Sequence, residues 1–187
     1  MRDLIVTENI TLDGVIDASA GWFAPAGGDD ADRSDQIDAI AEHREAADAF
    51  LVGRRTFEQM RGYWPQQTGR DETGVAAYLD RVPKYVVSTT IEDPGWPPTT
   101  VLRGPLGKDV AALKAAPGRD IVTTGSITLV HALIAHGLVD EYRLFVYPVV
   151  VGAGARLFPD GAEQPRLELV EARPFRAGVV LLRYRTR

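Results

Sequence analysis

Residues 49–57 read Ala-Phe-Leu-Val-Gly-Arg-Arg-Thr-Phe, and this segment sets the architecture of the chain. The four apolar residues before Gly53 have the pattern of a buried strand, and residues 54–61 have the pattern of a helix that begins directly at this glycine. Strands that alternate with helices form a largely parallel sheet that is covered on both faces. The segment therefore predicts an α/β fold.

The same alternation continues on both sides of this segment. The predicted strands are residues 4–10, 49–52, 84–87, 100–102, 120–123, 141–151, 167–172 and 179–184, with a turn at 176–178 between the last two. The predicted helices are residues 33–47, 54–61, 106–116 and 127–136. We therefore predict one domain over residues 1–187. Its fold is three-layer αβα, with a mostly parallel central sheet and an antiparallel hairpin at the C-terminal edge.

The composition excludes several classes of protein. The 187 residues carry a formal net charge of −5, which argues against a general nucleic-acid binder, and the absence of cysteine excludes disulfides and thiolate chemistry. The N-terminus lacks the pattern of a signal peptide, and no apolar run approaches the ~20 residues that span a bilayer. We therefore expect a cytoplasmic protein with no membrane partner. His131 and His136 do not have the spacing of helical metal ligands, so no metal site is predicted.

Three of the predicted strands end in residues that suit phosphate. Gly53-Arg54-Arg55-Thr56 and Thr124-Gly125-Ser126 each combine a glycine with the start of a helix, and Ser88-Thr89-Thr90 supplies short hydroxyl donors. A helix N-terminus offers free N–H groups and a partial positive charge, and arginine binds phosphate through two hydrogen bonds. Ligands of open α/β sheets bind beyond the carboxyl ends of the strands, so the three sites together indicate a dinucleotide. The G-x-G-x-x-G and G-x-x-x-x-G-K-[ST] motifs are absent, which indicates a site of another design.

These residues carry a resemblance to a known family. The G-R-x-T start of the helix at Gly53, together with Trp64, resembles the dihydrofolate reductase superfamily, most closely the reductase domain of the bifunctional riboflavin-biosynthesis deaminase-reductase and its stand-alone members. Further blocks that match in order are residues 11–14, 84–88, 124–126, 137–141, 148–154 and 157–158.

The resemblance implies that the cofactor is NADPH. Arg54 and Thr56 would hold its phosphates, Ser88 and Arg103 would lie near the 2′-phosphate, and Gly125 would lie against the pyrophosphate and nicotinamide. The resemblance also implies a homodimer, in which the long strand at 141–151 pairs or packs across a two-fold axis. The predicted cofactor-binding residues are Gly14, Gly53, Arg54, Arg55, Thr56, Ser88, Thr89, Arg103, Gly125, Ser126, Thr128 and Leu129.

Hydride transfer also needs a proton source, and two aspartates are candidates. Asp38 lies on the helix after the first long loop, at the margin of an apolar stripe that includes Ile37, Ile40 and Ala41; the alternative is a solvated surface carboxylate. Asp13 precedes Gly14 in a loop that closes over the nicotinamide in the resembling family. The alternative is an ordinary Asp-Gly turn.

Three aromatic residues are candidates for the substrate wall. Trp22 and Phe23 lie in the first long loop, and Trp64 follows the helix at Gly53; the alternative for each is packing against the core. The nearest activity that the resemblance implies is the reduction of 5-amino-6-(5-phosphoribosylamino)uracil with NADPH. The alternatives are a pterin or folate reductase, a reductase of another carbonyl or imine, or an NADPH-binding module without turnover.

Overall fold

The structure is a computed structural model that describes residues 1–22, 31–71, 73–159, 161 and 166–187, and within these ranges eight strands form one sheet. The strands are β1 (Leu4–Thr11), β2 (Ala47–Gly53), β3 (Lys84–Val87), β4 (Thr99–Leu102), β5 (Asp120–Thr123), β6 (Glu141–Tyr147), β7 (Leu167–Pro174) and β8 (Val180–Thr186). Their order is β4-β3-β2-β5-β1-β6-β8-β7. The strands β1 to β6 pair in parallel, whereas β8 is antiparallel to both β6 and β7. The predicted mostly parallel sheet with an antiparallel C-terminal hairpin is confirmed.

Helices cover both faces of this sheet. They are α1 (Ser34–Ala46), α2 (Arg54–Tyr63), α3 (Val75–Arg81), α4 (Leu106–Ala115) and α5 (Ile127–Ala135). The helices α4 and α5 pack on one face, where Val110 and Leu133 join Leu4 and Val6 of β1 in one apolar core. The helices α1, α2 and α3 pack on the opposite face. The arrangement therefore has three layers.

The apolar run of β2 explains why this strand lies inside the sheet. Side chains of a strand alternate between its two faces. Ala49 and Leu51 accordingly belong to the core under α4 and α5, and Phe50 and Val52 belong to the core under α2 and α3. A strand that is buried on both faces must be apolar at every position, which is the pattern from which the fold was predicted.

The helix α1 presents a different face from the one predicted. Its buried residues are Gln36 and Ala39, and Ile37 is exposed. The side-chain amide of the buried Gln36 donates a hydrogen bond to the hydroxyl group of Tyr147, at 3.4 Å. The predicted apolar stripe through Ile37 is therefore wrong, and Asp38 is an exposed residue rather than one at the margin of a buried face.

The remaining differences concern strand ends and one short helix. The strand predicted at 141–151 ends at Tyr147, directly before a proline, and it lies between β1 and β8. It has no free edge, so a dimer cannot form by pairing this strand across a two-fold axis. The helix α3 was not predicted because its seven residues are too few to show a helical period. None of the helices in the described ranges has both the length and the apolar character that crossing a bilayer requires.

Candidate functional site

The turns that follow β2 and β5 are joined by two hydrogen bonds. The backbone N–H of Gly53 donates to the hydroxyl oxygen of Ser126 at 2.9 Å. The backbone N–H of Ser126 donates to Oγ1 of Thr56 at 3.0 Å. The turns are also in close contact, since a Cβ on Gly125 would lie 3.2 Å from Cγ2 of Thr56. Two of the predicted phosphate-binding turns are thus brought together as one unit.

Each of these turns leads into the N-terminus of a helix. The helices α2 and α5 have ten and nine residues, and in neither does a side chain cap the first turn. The first N–H groups of such a helix have no partner within the helix, and the helix dipole adds a partial positive charge there. The side chains of Arg54 and Arg55 are exposed at the start of α2, where Arg54 pairs with Glu58 at 3.1 Å. The arrangement can bind an anion between the two helix ends.

Two of the predicted cofactor-binding residues, Thr128 and Leu129, lie on α5, and their side chains differ in exposure. Thr128 is exposed, so its hydroxyl group is accessible. Leu129 is buried in the apolar core under α4 and α5, and a Cβ on Gly53 would lie 3.7 Å from it. Only the backbone N–H of Leu129 is therefore placed to contact a ligand at this helix end.

The third predicted phosphate site lies at the ends of β3 and β4. The hydroxyl oxygen of Ser88 accepts hydrogen bonds from the N–H groups of Thr90 and Ile91, both at 3.1 Å, so Ser88 closes the turn. The guanidinium group of Arg103 donates to the backbone carbonyl of Ile91. Thr89 is exposed. An arginine and an accessible threonine therefore lie beside this turn.

The strand order sets these groups in a row along one edge of the sheet. The parallel strands β4, β3, β2, β5 and β1 are successive neighbours, so their carboxyl ends lie side by side. At about 4.8 Å per strand, the row from β4 to β1 is about 19 Å long. This length suits an extended dinucleotide.

Asp13, just after the end of β1, accepts hydrogen bonds that hold the first loop in place. Its carboxylate accepts hydrogen bonds from the Thr11 hydroxyl at 2.6 Å and from the Gly152 N–H at 2.8 Å. These bonds, the one from Thr11 foremost, lower the pKa of Asp13. Gly14, the next residue, has a φ of 84°, in the left-handed region. Asp13 thus fixes the first loop to the turn at Gly152, and its predicted role in proton transfer stays a prediction.

Sequence reasoning missed a buried acid, Glu8, on β1. Glu8 is 4% exposed and stands in the inward register of Val6 and Ile10, whose side chains belong to the apolar core. The N–H of Gly125 partly offsets the effect of burial on the pKa of the Glu8 carboxyl group, and Oε1 has no hydrogen-bond partner among the described residues. Burial raises the pKa of Glu8 well above its ordinary value of 4.5. The inward position of an acidic residue in an apolar strand was the signal that would have found it.

Glu8 borders a cavity of about 170 Å³ at the carboxyl ends of β1 and β5. Trp22 forms one wall, and its Nε1–H donates to the carbonyl of Asp17 at 2.6 Å. The lining residues are Glu8, Asn9, Ile16, Ala18, Trp22, Met60, Thr124 and Gly125.

Two other predicted site residues, Trp64 and Asp38, do not line this cavity. Trp64 packs against the core under α2 and α3, with its ring 5.1 Å from that of Tyr63. Asp38 does not line the cavity, and Phe23 lies outside the described residues. Among the described residues, no three His, Cys, Asp or Glu side chains lie in a metal-binding arrangement.

Comparisons with known proteins bear on this arrangement. A family model described as the RibD C-terminal domain matches residues 2–181. The uncharacterized protein YyaP of Bacillus subtilis (strain 168) is 31% identical over 187 residues, which cover 98% of this chain and 94% of YyaP.

Two solved structures have the same fold. One is a pyrimidine reductase-like protein from Corynebacterium diphtheriae, with a TM-score of 0.65 and 18% identity over 100% of this chain and 92% of that chain. The other is a diaminohydroxyphosphoribosylaminopyrimidine deaminase/5-amino-6-(5-phosphoribosylamino)uracil reductase from Thermotoga maritima, with a TM-score of 0.66 and 19% identity over 100% of this chain and 57% of that chain. The expected kinship is confirmed by the family model: the chain belongs to the RibD C-terminal domain family.

Proposed function

We propose that the protein is an NADPH-dependent reductase that transfers hydride to a small heterocyclic substrate. The observation that carries this proposal is the pair of uncapped helix ends, α2 and α5, which Gly53, Thr56 and Ser126 hold together across neighbouring strands. Free N–H groups from two helices and the exposed Arg54 and Arg55 suit the charged pyrophosphate of a dinucleotide.

The turn at Ser88 supports NADPH rather than NADH. It lies two strands from the turn at Gly125, so a dinucleotide that spans the row can extend its adenosine end to it. Arg103 and Thr89 can then hold a 2′-phosphate, which NADH lacks. Arg103 provides a fixed positive charge, and Thr89 provides a hydroxyl donor.

The opposite end of the row supplies the groups for chemistry. NADPH would supply the hydride when bound, and the small cavity beside Gly125 would receive the reacting rings. Trp22 would orient them through ring contacts and exclude water from one side. Glu8 is the group best placed to supply the proton, because in its neutral form it can donate from a buried position at the cavity wall.

The family supports a substrate like that of its named relatives. The Thermotoga maritima protein is named as a 5-amino-6-(5-phosphoribosylamino)uracil reductase, and we propose a reaction of this kind here. A pterin or folate, or another carbonyl or imine, are the alternative substrates. Glu8 disfavours a binding module without turnover. A buried acid with an unbonded oxygen lowers the stability of the folded protein, and proton transfer gives a reason for its presence that binding alone does not.

The test is a fluorescence titration with NADPH and NADH, on the wild type and on Arg54→Ala and Arg55→Ala. We expect tighter binding of NADPH than of NADH. Loss of an arginine that contacts phosphate should weaken binding about ten-fold, since a charge-assisted hydrogen bond contributes about 1.5–3 kcal/mol.

Two variants serve as controls. Arg70→Ala removes an exposed arginine outside the row and should leave the affinity unchanged. Glu58→Gln releases Arg54 from its ion pair and should strengthen binding. If neither nucleotide binds to the wild type, the proposed function is wrong.

A further inference from the structure

A second and larger concavity lies at the opposite edge of the sheet. Its volume is about 480 Å³, and it sits at the amino ends of β2 and β5, between α1 and α3. The strand β2 runs from this concavity to Gly53, so about 20 Å separates it from the turns at the carboxyl edge. The lining residues are Arg44, Glu45, Ala47, Asp48, Tyr78, Arg81, Val82, Pro83 and Arg119.

Three arginines of this concavity have no ion-pair partner among the described residues. Neither Arg44 nor Arg81 nor Arg119 forms a salt bridge with any carboxylate in the described parts of the chain. Arg44 is fixed in place, because its Nη1 donates to the carbonyl of Thr73 at 2.6 Å. Burial is the main cause that lowers the pKa of Arg44. The concavity thus carries three arginines without a salt bridge in the described parts of the chain, although the net charge of the chain is −5.

The acidic residues of the concavity do not neutralise these charges. The carboxylate of Asp48 forms an ion pair with Arg2, and its Oδ2 accepts the backbone N–H of Arg119 at 2.9 Å. Glu45 is exposed. Asp71 also acts on Arg44, as Glu45 does. With Asp48 already balanced by Arg2, the three guanidinium groups face two further carboxylates among the described residues, Glu45 and Asp71, which leaves an excess of one positive charge.

The hydroxyl group of Tyr78 is an independent sign of a ligand. Tyr78 is 7% exposed, and its hydroxyl has no hydrogen-bond partner within the described residues. Burial raises the pKa of Tyr78 to about 12, so the group is a neutral O–H donor at physiological pH. The three arginines and Asp48 are the charged groups that act on it. An unpaired buried hydroxyl costs stability, and a bound acceptor would remove that cost.

We propose that this concavity is a second ligand site, which binds a small multivalent anion of the phosphate or carboxylate type. Arg81 and Arg119 are exposed and can close on the anion as bidentate donors, while Arg44 is held at the wall. Reorientation of Arg81 and Arg119 would open the Tyr78 hydroxyl to the same ligand. Val82 and Pro83 supply an apolar wall for the rest of the molecule. The site is separate from the proposed cofactor site and does not depend on it.

The experiment is calorimetric titration of the full chain with inorganic pyrophosphate at fixed ionic strength. Arg81→Gln/Arg119→Gln should bind pyrophosphate at least ten-fold more weakly than the wild type at this site. Lys108→Gln/Arg166→Gln removes two exposed positive charges elsewhere and should leave the affinity unchanged. Arg54→Ala/Arg55→Ala, which alters the proposed cofactor site, should keep the binding that Arg81→Gln/Arg119→Gln loses. A parallel titration with citrate tells whether phosphate or carboxylate is preferred.

Tyr78→Phe provides a second readout that does not depend on the arginines. It removes only a hydroxyl without a partner, so thermal stability should stay the same or rise, while pyrophosphate affinity should fall several-fold. The proposal is overturned if the wild type does not bind either anion at millimolar concentration. It is also overturned if Arg81→Gln/Arg119→Gln binds as the wild type does, or if only the variant of Arg54 and Arg55 loses binding.

Discussion

Ser126 and Gly53 are joined across two neighbouring strands by a hydrogen bond of 2.9 Å, which the N–H of Gly53 donates to the Ser126 hydroxyl. Ser126 has a φ of 41°, in the left-handed region that a non-glycine residue rarely adopts. The N–H of Ser126 also donates to Thr56, in the first turn of α2. Ser126 itself directly precedes α5, so this one strained residue links the starts of the two helices that flank the proposed pyrophosphate site.

Ser126→Ala should therefore affect binding more than it affects stability. It removes the bond to Gly53 but keeps the backbone strain, so the free energy of unfolding should fall by about 1 kcal/mol. NADPH affinity should fall further than this loss alone implies, because the two helix ends can then separate. Chemical denaturation and fluorescence titration measure the two effects. Unchanged affinity in a folded variant would mean that the link between the turns does not shape the site.

Glu8→Gln should stabilise the protein, and increasingly so at higher pH. The folded-state pKa of Glu8 lies above the ordinary value of 4.5, so the folded state holds more protons than the unfolded chain between these two values. The contribution of Glu8 to stability therefore falls as pH rises through that window, by up to about 1.4 kcal/mol per pH unit. Glutamine keeps the shape of the side chain and cannot ionise. The measurement is the free energy of unfolding from pH 4 to pH 9.

The matched control for this change is Glu168→Gln, on the exposed ion pair with Arg187. Its effect should be small and nearly constant over the same pH range. If the curves of Glu8→Gln and the wild type run parallel, the raised pKa is wrong. Once a substrate is known, Glu8→Gln should retain NADPH affinity and lose turnover, which separates a proton donor from a residue that shapes the cofactor site.

The phosphate-suited turns could be predicted from sequence because their pattern is local. Gly53 and Gly125 each stand between a short apolar run and the start of a helix, and the connection of strand to helix does not depend on the rest of the chain. Parallel pairing then brings the two strand ends to one edge. The sequence could not show that Ser126 bonds to both turns, since that contact joins residues 73 positions apart.

Glu8 and Asp38 show where the local pattern failed. Glu8 is buried because β5 and β6 flank β1, and these pairings are non-local. The prediction for Asp38 depends on an apolar stripe through Ile37, but α1 buries Gln36 and Ala39 instead, and Gln36 donates a hydrogen bond to the distant Tyr147. A single non-local contact of this kind can shift the register of a short, weakly amphipathic helix.

Glu141→Gln should be strongly destabilising. Glu141 and Arg143 are 2% and 3% exposed, and they form an ion pair at 2.7 Å; Arg183 pairs with the same carboxylate at 2.9 Å. Removal of the negative charge leaves a buried guanidinium group without its main partner, which costs about 3–5 kcal/mol. The exposed pair of Glu168 again serves as the control, with an expected loss below 1 kcal/mol for Glu168→Gln. Equal effects in urea denaturation would contradict this account of the buried pair.

We expect the homodimer that the family resemblance implies to depend on β7, since β6 has no free edge and β7 is an edge strand with exposed apolar side chains. Leu169 on β7 is 54% exposed, and its neighbour Val170 is exposed as well. The register of β7 against β8 shifts between Leu169 and Glu171, which favours packing through a face over pairing of edges. Leu169→Arg should convert a dimer into a monomer in analytical ultracentrifugation, whereas Ile37→Arg, at another exposed apolar residue, should not. If the wild type sediments as a monomer at micromolar concentration, the predicted homodimer is wrong.

Gly154→Ala should be much more damaging than Gly152→Ala, although the two glycines lie in the same turn. Gly154 has a φ of 116°, and a Cβ there would lie only 2.8 Å from Cγ1 of the buried Val15. Gly152 has a φ of 73°, and a Cβ there would meet nothing within 4 Å. Gly152→Ala should thus cost about 1–2 kcal/mol from the backbone alone.

Gly154→Ala adds a steric clash to the backbone cost of a positive φ, so its loss should reach about 3 kcal/mol or more. Val15 also pairs with Arg156 in an isolated bridge, and Ile16 beside it lines the cavity at Glu8. The clash should therefore displace the cavity wall and reduce the proposed hydride transfer in any molecules that still fold. Thermal unfolding of the two variants measures the difference in stability. Equal losses would mean that the loop at Val15 yields to the added methyl group, and that the tight contact with Gly154 does not position the cavity.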